Sequence, residues 1–346
     1  MSVMLTTELV RPILPILLYY SDVSLVLESP GSSMIDTVTV GETMVLVRTH
    51  RAGFPLDQEP CTLAIGGAES NVAIGLARLG HSVRWVSSLG SDVFGDMIES
   101  VVTKEGVEVS TRRHAELPTG LMVKSLSAGD QRFVTYYRSG SAASEMSEES
   151  VSDAALSDAR LLHITGITPA LSASAQSMVL DVTRRAKDLG IVVSFDVNFR
   201  PALWLESTAS LVLRKLAERS DIVFGDTTEL SMLTDAQSLS EYELLETVAK
   251  LGPQQVVLKR GEHGAAAFVQ GEYHELDSLT VDVVDTVGAG DAFVAGYLSG
   301  YLDSAGVPES LLRGVVCGGL ACTNPGDWEG APTRVEFEAT RLEVAS

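Results

Sequence analysis

Residues 285–293 read DTVGAGDAF, and an apolar run follows them to about residue 302. The pattern predicts a strand over 280–284, a glycine turn and then a helix. The GAG segment at 288–290 leaves backbone N–H groups with little side-chain cover at the helix N-terminus, where aligned amides and the helix dipole favour phosphoryl oxygens. Asp291 could accept a proton from a hydroxyl that attacks a phosphate. The alternative interpretation is a plain helix cap, a position that Asp also favours.

A second glycine-rich segment, GGAESN, occupies residues 66–71, at the start of a predicted helix over 70–79. Paired glycines at a strand–helix junction let a ligand approach the backbone closely. Asn71 could bind ligand hydroxyl groups there. The alternative is a tight turn in which Ser70 or Asn71 caps the helix.

Two polar runs add basic side chains to these segments. DVNFRPALW at 196–204 follows a predicted strand, and its Arg200 could bind a carboxylate or a phosphate through paired hydrogen bonds. YYRSGSA at 136–142 ends an extended segment and places Arg138 beside aromatic rings. The alternatives are a solvated loop for the first run and an edge strand with an exposed arginine for the second.

From residue 34 onward, short β-branched runs alternate with helical periods. This alternation predicts an α/β fold with a mostly parallel sheet and helices on both faces, in which ligands bind beyond the carboxyl ends of the strands. The predicted strands are 37–40, 83–87, 161–165, 192–196, 221–224, 255–259, 265–269 and 280–284. The predicted helices are 70–79, 173–189, 211–218 and 241–251, the last with a capping box of Ser240 and Glu243.

Two stretches interrupt the alternation. Residues 45–65 and 118–138 read as extended segments with turns at Gly53, Gly120 and Gly129-Asp130, and they predict a small β-sheet lid over the cleft. Residues 1–33 are expected to be a disordered leader or a mis-assigned start, and a single domain is expected over 34–340. The lid could also pair between two subunits.

The composition of the chain excludes some classes of partner and location. The 346-residue chain carries 25 basic and 46 acidic residues, for a formal charge of −21, which argues against nucleic acid as a partner. Its apolar N-terminal run is interrupted by prolines and charge, so no membrane span is expected. Three cysteines without a CxxC motif favour a reducing compartment and hence the cytoplasm.

These signals, in this order, resemble the ribokinase-like (PfkB) carbohydrate kinases over about residues 36–335. Both signature segments of that family are present, GGAESNVAIGLARLG at 66–80 and DTVGAGDAFVAGY at 285–297. Between them, LKRGEHG at 258–264 looks like the family's nucleotide-side strand and turn. The resemblance implies a three-layer α/β/α domain with a small β-sheet lid, ATP as the phosphate donor and Mg²⁺ as a cofactor.

The resemblance also implies roles for individual residues. Asp291 would be the catalytic base, and the amides of 287–290 would form an anion hole. The implied catalytic residues are Asp291, Gly288, Ala289 and Gly290. The implied nucleotide contacts are Asn198, Lys259, Gly261, Gly264, Gly288, Gly290 and Asn324.

Metal sites follow from the same resemblance. Asp226 and Glu229 occupy the family's N-x-x-E position and would hold Mg²⁺ through water. Asp226 stands where the family has Asn, so its detailed role differs from the family pattern. A monovalent cation such as K⁺ would lie near Asp285.

Three segments look most like those of the 2-keto-3-deoxygluconate kinases within this family: YYRSGSAAS at 136–144, DVNFRPALW at 196–204 and GDWEGAPT at 326–333. The implied reaction phosphorylates the primary hydroxyl of that sugar acid, with Arg138 and Arg200 neutralising its carboxylate. Met122 stands where that group often has Tyr. Alternatives are a fructokinase or other neutral-sugar kinase, a nucleoside kinase, and a sugar- or nucleotide-binding protein without activity. A homodimer through the lid is a family-level expectation. The implied substrate contacts are Gly66, Gly67, Asn71, Tyr136, Arg138, Arg200 and Asp291.

Overall fold

Strands and helices alternate through the residues that the computed structural model describes, which are 34–52, 61–126, 132–236 and 238–344. The strands are β1 Ile35–Val40, β2 Met44–Ala52, β3 Cys61–Gly66, β4 Val83–Gly90, β5 Glu108–His114, β6 Leu121–Leu126, β7 Arg132–Tyr137, β8 Ala159–Thr165, β9 Val192–Asp196, β10 Ile222–Gly225, β11 Gln255–Lys259, β12 Ala265–Val269 and β13 Glu272–Leu276. The helices are α1 Ala68–Arg78, α2 Val93–Lys104, α3 Asp153–Leu156, α4 Ala173–Asp188, α5 Glu206–Ala217, α6 Thr227–Ser231, α7 Glu241–Ala249, α8 Ala289–Leu302, α9 Val307–Ala321 and α10 Arg334–Val344.

Nine strands form the main sheet in the order β13-β12-β11-β10-β9-β8-β1-β4-β5. The strands from β11 to β5 run parallel, and β12 and β13 complete the other edge antiparallel. Successive side chains alternate between the faces. Val38 lies in a core with α4, α5 and α7, whereas Trp85 lies in a core with α1, α8 and α9. The predicted three-layer α/β/α architecture is confirmed.

A separate four-stranded sheet has the order β3-β2-β6-β7 and is called the small sheet below. It consists of two antiparallel hairpins, β2–β3 and β6–β7, joined by parallel pairing of β2 with β6. The predicted small β-sheet is confirmed. The turns expected at Gly53 and Gly129-Asp130 lie outside the described residues.

The sheet edge next to β12 differs from the prediction. The strand predicted at 280–284 is wrong: this stretch is irregular, and Val283 and Val284 are more than half exposed. The position beside β12 belongs instead to β13. The two strands join at Gln270 and Gly271, whose φ angles of +53° and +89° suit a two-residue hairpin turn.

The other predicted strands and helices are present and differ mainly at their ends. The sequence analysis did not predict strand β5 or helices α2, α3, α6, α9 and α10. The capping box of Ser240 and Glu243 is present at the start of α7. Helix α5 begins at Glu206, several residues before its predicted start. Within the described residues, no helix combines the length and apolarity that crossing a bilayer requires. The expectations for residues 1–33 lie outside those residues.

Candidate active site

The carboxyl ends of the parallel strands meet at one edge of the main sheet, where α/β proteins bind ligands. A cavity of about 320 Å³ opens there, between this edge, the small sheet and the start of α8. Its lining combines residues from both glycine-rich segments and both polar runs. The lining residues are Glu42, Met44, Gly66, Gly67, Ala68, Asn71, Met122, Lys124, Val134, Tyr136, Arg138, Ile167, Arg200, Pro201, Ala202, Leu203, Val287, Gly288, Asp291 and Asp327.

Asp291 lies in the first turn of α8, three residues after the N-cap Gly288. The interpretation of Asp291 as a plain helix cap is therefore wrong. Burial raises the pKa of Asp291 to about 7, although the hydrogen bond from Asn71 favours the charged form, and the nearby Asp196 raises it further. A carboxyl group with that pKa can accept a proton at neutral pH.

The backbone before Asp291 takes a conformation that glycine suits. Gly288 has φ +77°, and a Cβ at this position would overlap the carbonyl oxygen of Asp327. The first N–H groups of an α-helix have no acceptor within the helix. Those of α8 begin at the cavity wall, because Val287, Gly288 and Asp291 all line it. The Ala289 N–H donates to the Thr286 carbonyl (3.3 Å), so the segment offers the amides that follow it and a positive helix end to an anion.

Helix α1 supplies the partner of Asp291. Its N-cap is Gly67, and the Ser70 hydroxyl donates to the Gly67 carbonyl (3.0 Å), so neither Ser70 nor Asn71 caps the helix through its side chain. The Asn71 amide instead donates to the Asp291 carboxylate (2.8 Å). Glu69, 1% exposed, accepts hydrogen bonds from Thr165 (2.8 Å) and Thr168 (2.7 Å) and ties this turn to the loop after β8.

The two predicted arginines differ in their surroundings. Arg138 donates through Nε to Glu42 (2.7 Å), whose fully buried carboxylate also accepts from the Ser141 hydroxyl (2.6 Å). The guanidinium of Arg138 also lies over the Tyr136 ring, 5.6 Å from its centroid. Arg200 is exposed at the cavity wall, and its guanidinium makes no hydrogen bond or ion pair within the described part of the chain. The positive charge of Arg138 is therefore matched inside the protein, whereas that of Arg200 faces the cavity.

The predicted nucleotide contacts lie outside the cavity lining, apart from Gly288. The Lys259 ammonium donates to both oxygens of Asp196, at 2.7 and 2.8 Å. Burial lowers the pKa of Lys259, but Asp196 and Glu229 more than offset this, so the pKa is raised overall. A Cβ at Gly290 would lie 3.9 Å from Nζ, so Lys259 lies beside the GAG segment.

The other predicted nucleotide contacts lie in turns and loops. Asn198 has φ +38° and is buried directly after β9. Gly264 has φ +83° and lies against the carbonyl of Leu276, where a side chain would overlap. Gly261 has φ +58° with open space beside it, and Asn324 is exposed after α9.

Comparison with known proteins relates this geometry to a family. The pattern of the pfkB family carbohydrate kinases matches residues 34–334. The chain belongs to this family. It is therefore a phosphotransferase that acts on a sugar.

Individual relatives cover most of this carbohydrate kinase. It is 38% identical over 308 residues to 2-dehydro-3-deoxygluconokinase of Bacillus subtilis (strain 168), across 87% of this chain and 93% of that protein. A crystal structure of a PfkB protein from Polaromonas sp. JS666 is 36% identical, with a TM-score of 0.79 over 88% of this chain and 99% of that one. A fructokinase with bound ATP from Xylella fastidiosa is 27% identical, with a TM-score of 0.80 over 90% and 99% of the two chains.

The carboxylates predicted to hold cations already have backbone partners in this carbohydrate kinase. Asp226 and Glu229 form a capping box at α6, in which each carboxylate accepts from the other residue's N–H (2.8 and 2.9 Å). The second oxygen of Glu229 accepts from the N–H of Phe199 (2.9 Å). Asp285 accepts from the N–H of Val287 (3.3 Å). Within the described residues no cluster of three metal-ligating side chains is present.

Three charged residues of the carbohydrate-kinase cavity were missed by the sequence analysis. Glu42 follows β1, so the rule that ligands bind at the carboxyl ends of strands could have identified it. Lys124 and Asp327 form an ion pair across the cavity wall. No local pattern indicates that pair, because 203 residues separate its members.

Proposed function

We propose that this chain is an ATP-dependent 2-keto-3-deoxygluconate kinase, with Asp291 as the base that deprotonates the primary hydroxyl of the sugar acid. The observation that carries the proposal is the arrangement around Asp291. A largely buried carboxylate with a pKa of about 7 is held by Asn71 at the glycine-rich start of α8. A carboxylate of this pKa directly beside backbone amides supports the pairing of a base with a phosphoryl-binding segment.

The reaction needs the base and the amides in one place. The sugar hydroxyl would lie at the cavity floor within reach of Asp291, and the transferring phosphoryl group would lie at the 287–290 amides. Proton removal by Asp291 makes the hydroxyl oxygen a better nucleophile, and the amides stabilise the charge that develops on the phosphoryl oxygens.

Recognition of an acid is supported by Arg200. Its guanidinium lines the cavity and attracts the Asp291 carboxylate, without an ion pair among the described residues. A sugar carboxylate could bind it through two parallel hydrogen bonds. Arg138, whose Nε edge binds Glu42, would add hydrogen-bond donors rather than net charge. In a chain with a formal charge of −21, such a local cation would offset the repulsion of an anionic substrate.

ATP as the donor is supported by the nucleotide bound to the related Xylella fructokinase. The residues proposed to contact it are Asn198, Lys259, Gly261, Gly264, Gly288, Gly290 and Asn324. Mg²⁺ fits Asp226 and Glu229 through water rather than directly, because both Glu229 oxygens accept backbone N–H groups. Mg²⁺ commonly keeps several waters and few protein ligands. It would neutralise the phosphate charge. A monovalent cation near Asp285 is proposed from the family resemblance alone.

The small sheet is proposed to act as a lid and as a dimer contact. Its inner face lines the cavity through Met44, Met122 and Tyr136. Its outer face exposes Leu63 and Tyr137, which are 51% and 62% exposed, and a second copy could cover them.

A neutral-sugar kinase such as a fructokinase is the second candidate. It is favoured by the pairing of Arg138 with Glu42, which removes one of the two net charges expected for acid recognition. Met122 in the cavity wall also stands where 2-keto-3-deoxygluconate kinases often have Tyr, so the hydroxyl typical of that group is missing.

ATP turnover against 2-keto-3-deoxygluconate, 2-ketogluconate, fructose, ribose and adenosine tests the proposal. We expect the highest kcat/KM with the keto-deoxy acid and phosphate on its primary hydroxyl, located by phosphorus NMR. A preference for fructose or ribose would overturn the sugar-acid assignment and retain the kinase. Asp291→Ala should lower the turnover of every accepted sugar by about 10²–10⁴.

A further inference from the structure

The segment at 326–331, called the 326–331 loop here, touches both glycine-rich segments of the active site. The carbonyl oxygen of Asp327 lies against Gly288, and its carboxylate lies against Gly66, so that a Cβ at either glycine would overlap it. The Asp327 side chain is only 10% exposed. Asp327 therefore fills the space between the start of α1 and the start of α8.

Helix α1 holds the loop from the outside. Arg78, in its last turn, donates through Nη1 to the carbonyls of Trp328 (3.3 Å), Glu329 (3.1 Å) and Ala331 (2.6 Å). Its guanidinium also lies 5.0 Å from the centroid of the Trp328 ring. The loop is thus fixed at several points to one rigid element, and the Asp327 carbonyl lies against Gly288 of the GAG segment.

The small sheet reaches the same loop through a charge. Lys124 on β6 binds the Asp327 carboxylate, and Arg48, its register partner on β2, adds a second positive charge facing it. Burial raises the pKa of Asp327, while Lys124 and Arg48 oppose the rise and favour the carboxylate. Without Lys124, the charged form of Asp327 would lose its hydrogen-bonded partner.

We propose that Lys124 is a positioning residue for phosphoryl transfer, which acts through Asp327 to hold Gly288 and the first amides of α8 in place when the small sheet lies over the cavity. The contact runs from β6 to the Asp327 side chain, and from the Asp327 carbonyl to the Gly288 backbone. Misplacing a catalytic group by about 1 Å can cost a factor of about 10² in rate. A small-sheet lysine can therefore change the chemical step without touching the phosphate.

The inference uses only the carbohydrate-kinase reaction and not the identity of the sugar. Its test uses whichever sugar the wild-type protein turns over fastest, so a wrong sugar assignment does not affect it. The variants are Lys124→Met, Lys124→Arg, Asp327→Asn and the double variant Lys124→Met/Asp327→Asn. Lys215→Met, at an exposed position on α5, is the matched control.

We expect Lys124→Met to lower kcat about tenfold or more, with KM for ATP and for the sugar within about threefold of wild type. Asp327→Asn should lower kcat in the same way. The kcat of the double variant should be no lower than that of the slower single variant, because the two substitutions break the same contact. Lys124→Arg should restore most of the rate. A raised sugar KM at unchanged kcat would overturn the proposal by making Lys124 a substrate contact. Unchanged kinetics would also overturn it, because the ion pair of Lys124 and Asp327 would then have only a structural role.

Hydrogen exchange of the full chain gives a second readout that needs no turnover. Peptides covering 287–291 should exchange faster in Lys124→Met and in Asp327→Asn, and at the wild-type rate in Lys215→Met. Unchanged exchange in this segment would overturn the proposal, as would equally faster exchange across the whole chain, which would indicate general destabilisation.

Discussion

The side-chain amide of Asn71 donates a 2.8 Å hydrogen bond to the carboxylate of Asp291, although 220 residues separate them in sequence. The bond joins the first turns of α1 and α8 and so brings the two glycine-rich segments to one point. It favours the charged carboxylate, whereas burial favours the protonated one. Their balance gives a carboxyl group with a pKa of about 7.

Removing the base should abolish most of the activity. Asp291→Asn keeps the shape of the side chain, because the Asn71 amide can donate to the new carbonyl oxygen. We expect kcat to fall by about 10²–10⁴, measured by steady-state ADP release. Asp282→Asn, at an exposed position, is the control. An Asp291→Asn variant within tenfold of wild type would contradict the assignment of the base.

Activity should rise with pH through the pKa of Asp291. Because the base acts when deprotonated, kcat/KM for the sugar at saturating ATP should increase up to about pH 7 and then level off. Asn71→Leu removes the hydrogen bond that favours the carboxylate, so its apparent pKa should be higher than that of wild type. Superimposable profiles for the two proteins would show that Asn71 does not set this pKa.

The same carboxyl group should cost stability at high pH. Its folded pKa of about 7 lies above the ordinary aspartate value of 3.8, so between these two pH values the folded state binds a proton that the unfolded state has lost. Stability from this group is therefore present below about pH 4 and falls as the pH rises to about 7. Asp291→Asn should raise Tm more at pH 8 than at pH 4.5, measured by calorimetry. An equal shift at both pH values would contradict the raised pKa.

Substitutions of Arg200 and Arg138 should have different effects on substrate specificity. Arg200→Gln should raise KM for a sugar acid at least about tenfold more than for fructose, because it removes the cavity's unpaired cation among the described residues. Arg138→Gln should impair both sugars. It leaves Glu42 as an unpaired buried charge, at a cost of about 3–5 kcal/mol in the free energy of unfolding. An effect of Arg138→Gln confined to acids would reverse this assignment.

Lys259 should be needed for the fold as well as for the nucleotide. Lys259→Met leaves Asp196, whose side chain is 2% exposed, without its cation, and the free energy of unfolding should fall by about 3–5 kcal/mol. Lys250→Met, directly after α7, removes an exposed pair with Glu246 and should cause no measurable change in urea denaturation. Equal stabilities of the two variants would contradict the role of Lys259.

The elements that the sequence predicted correctly are those whose signals are local. Buried parallel strands such as β8 and β9 read as β-branched runs, and α7 begins with a capping box, so each can be recognised within about ten residues. The strand predicted at 280–284 is wrong because a β-branched run is not sufficient for a strand: Val283 and Val284 are exposed and pair with no neighbouring strand among the described residues.

The site residues divide in the same way. Asp291 and Asn71 lie in glycine-rich segments, which can be recognised from their composition alone. Glu42 belongs to the site because it pairs with Arg138, 96 residues away, and Asp327 belongs to it because it pairs with Lys124. Such ion pairs depend on tertiary contacts, so the sequence alone predicted two free arginines where the structure has one paired and one unpaired among the described residues.

The order of strands in the main sheet has a consequence for synthesis on the ribosome. β1 lies in the interior, and each later strand joins one that has already been made, first β4 and β5 on one side and then β8 to β13 on the other. A nascent chain can therefore extend its sheet continuously as it emerges. The Asp291 carboxylate arrives only with α8, after β13, and must dock onto Asn71 of α1, which is translated 220 residues earlier. A growing polypeptide thus holds most of its main sheet before this contact can form, and a product that ends before α8 would lack the proposed base.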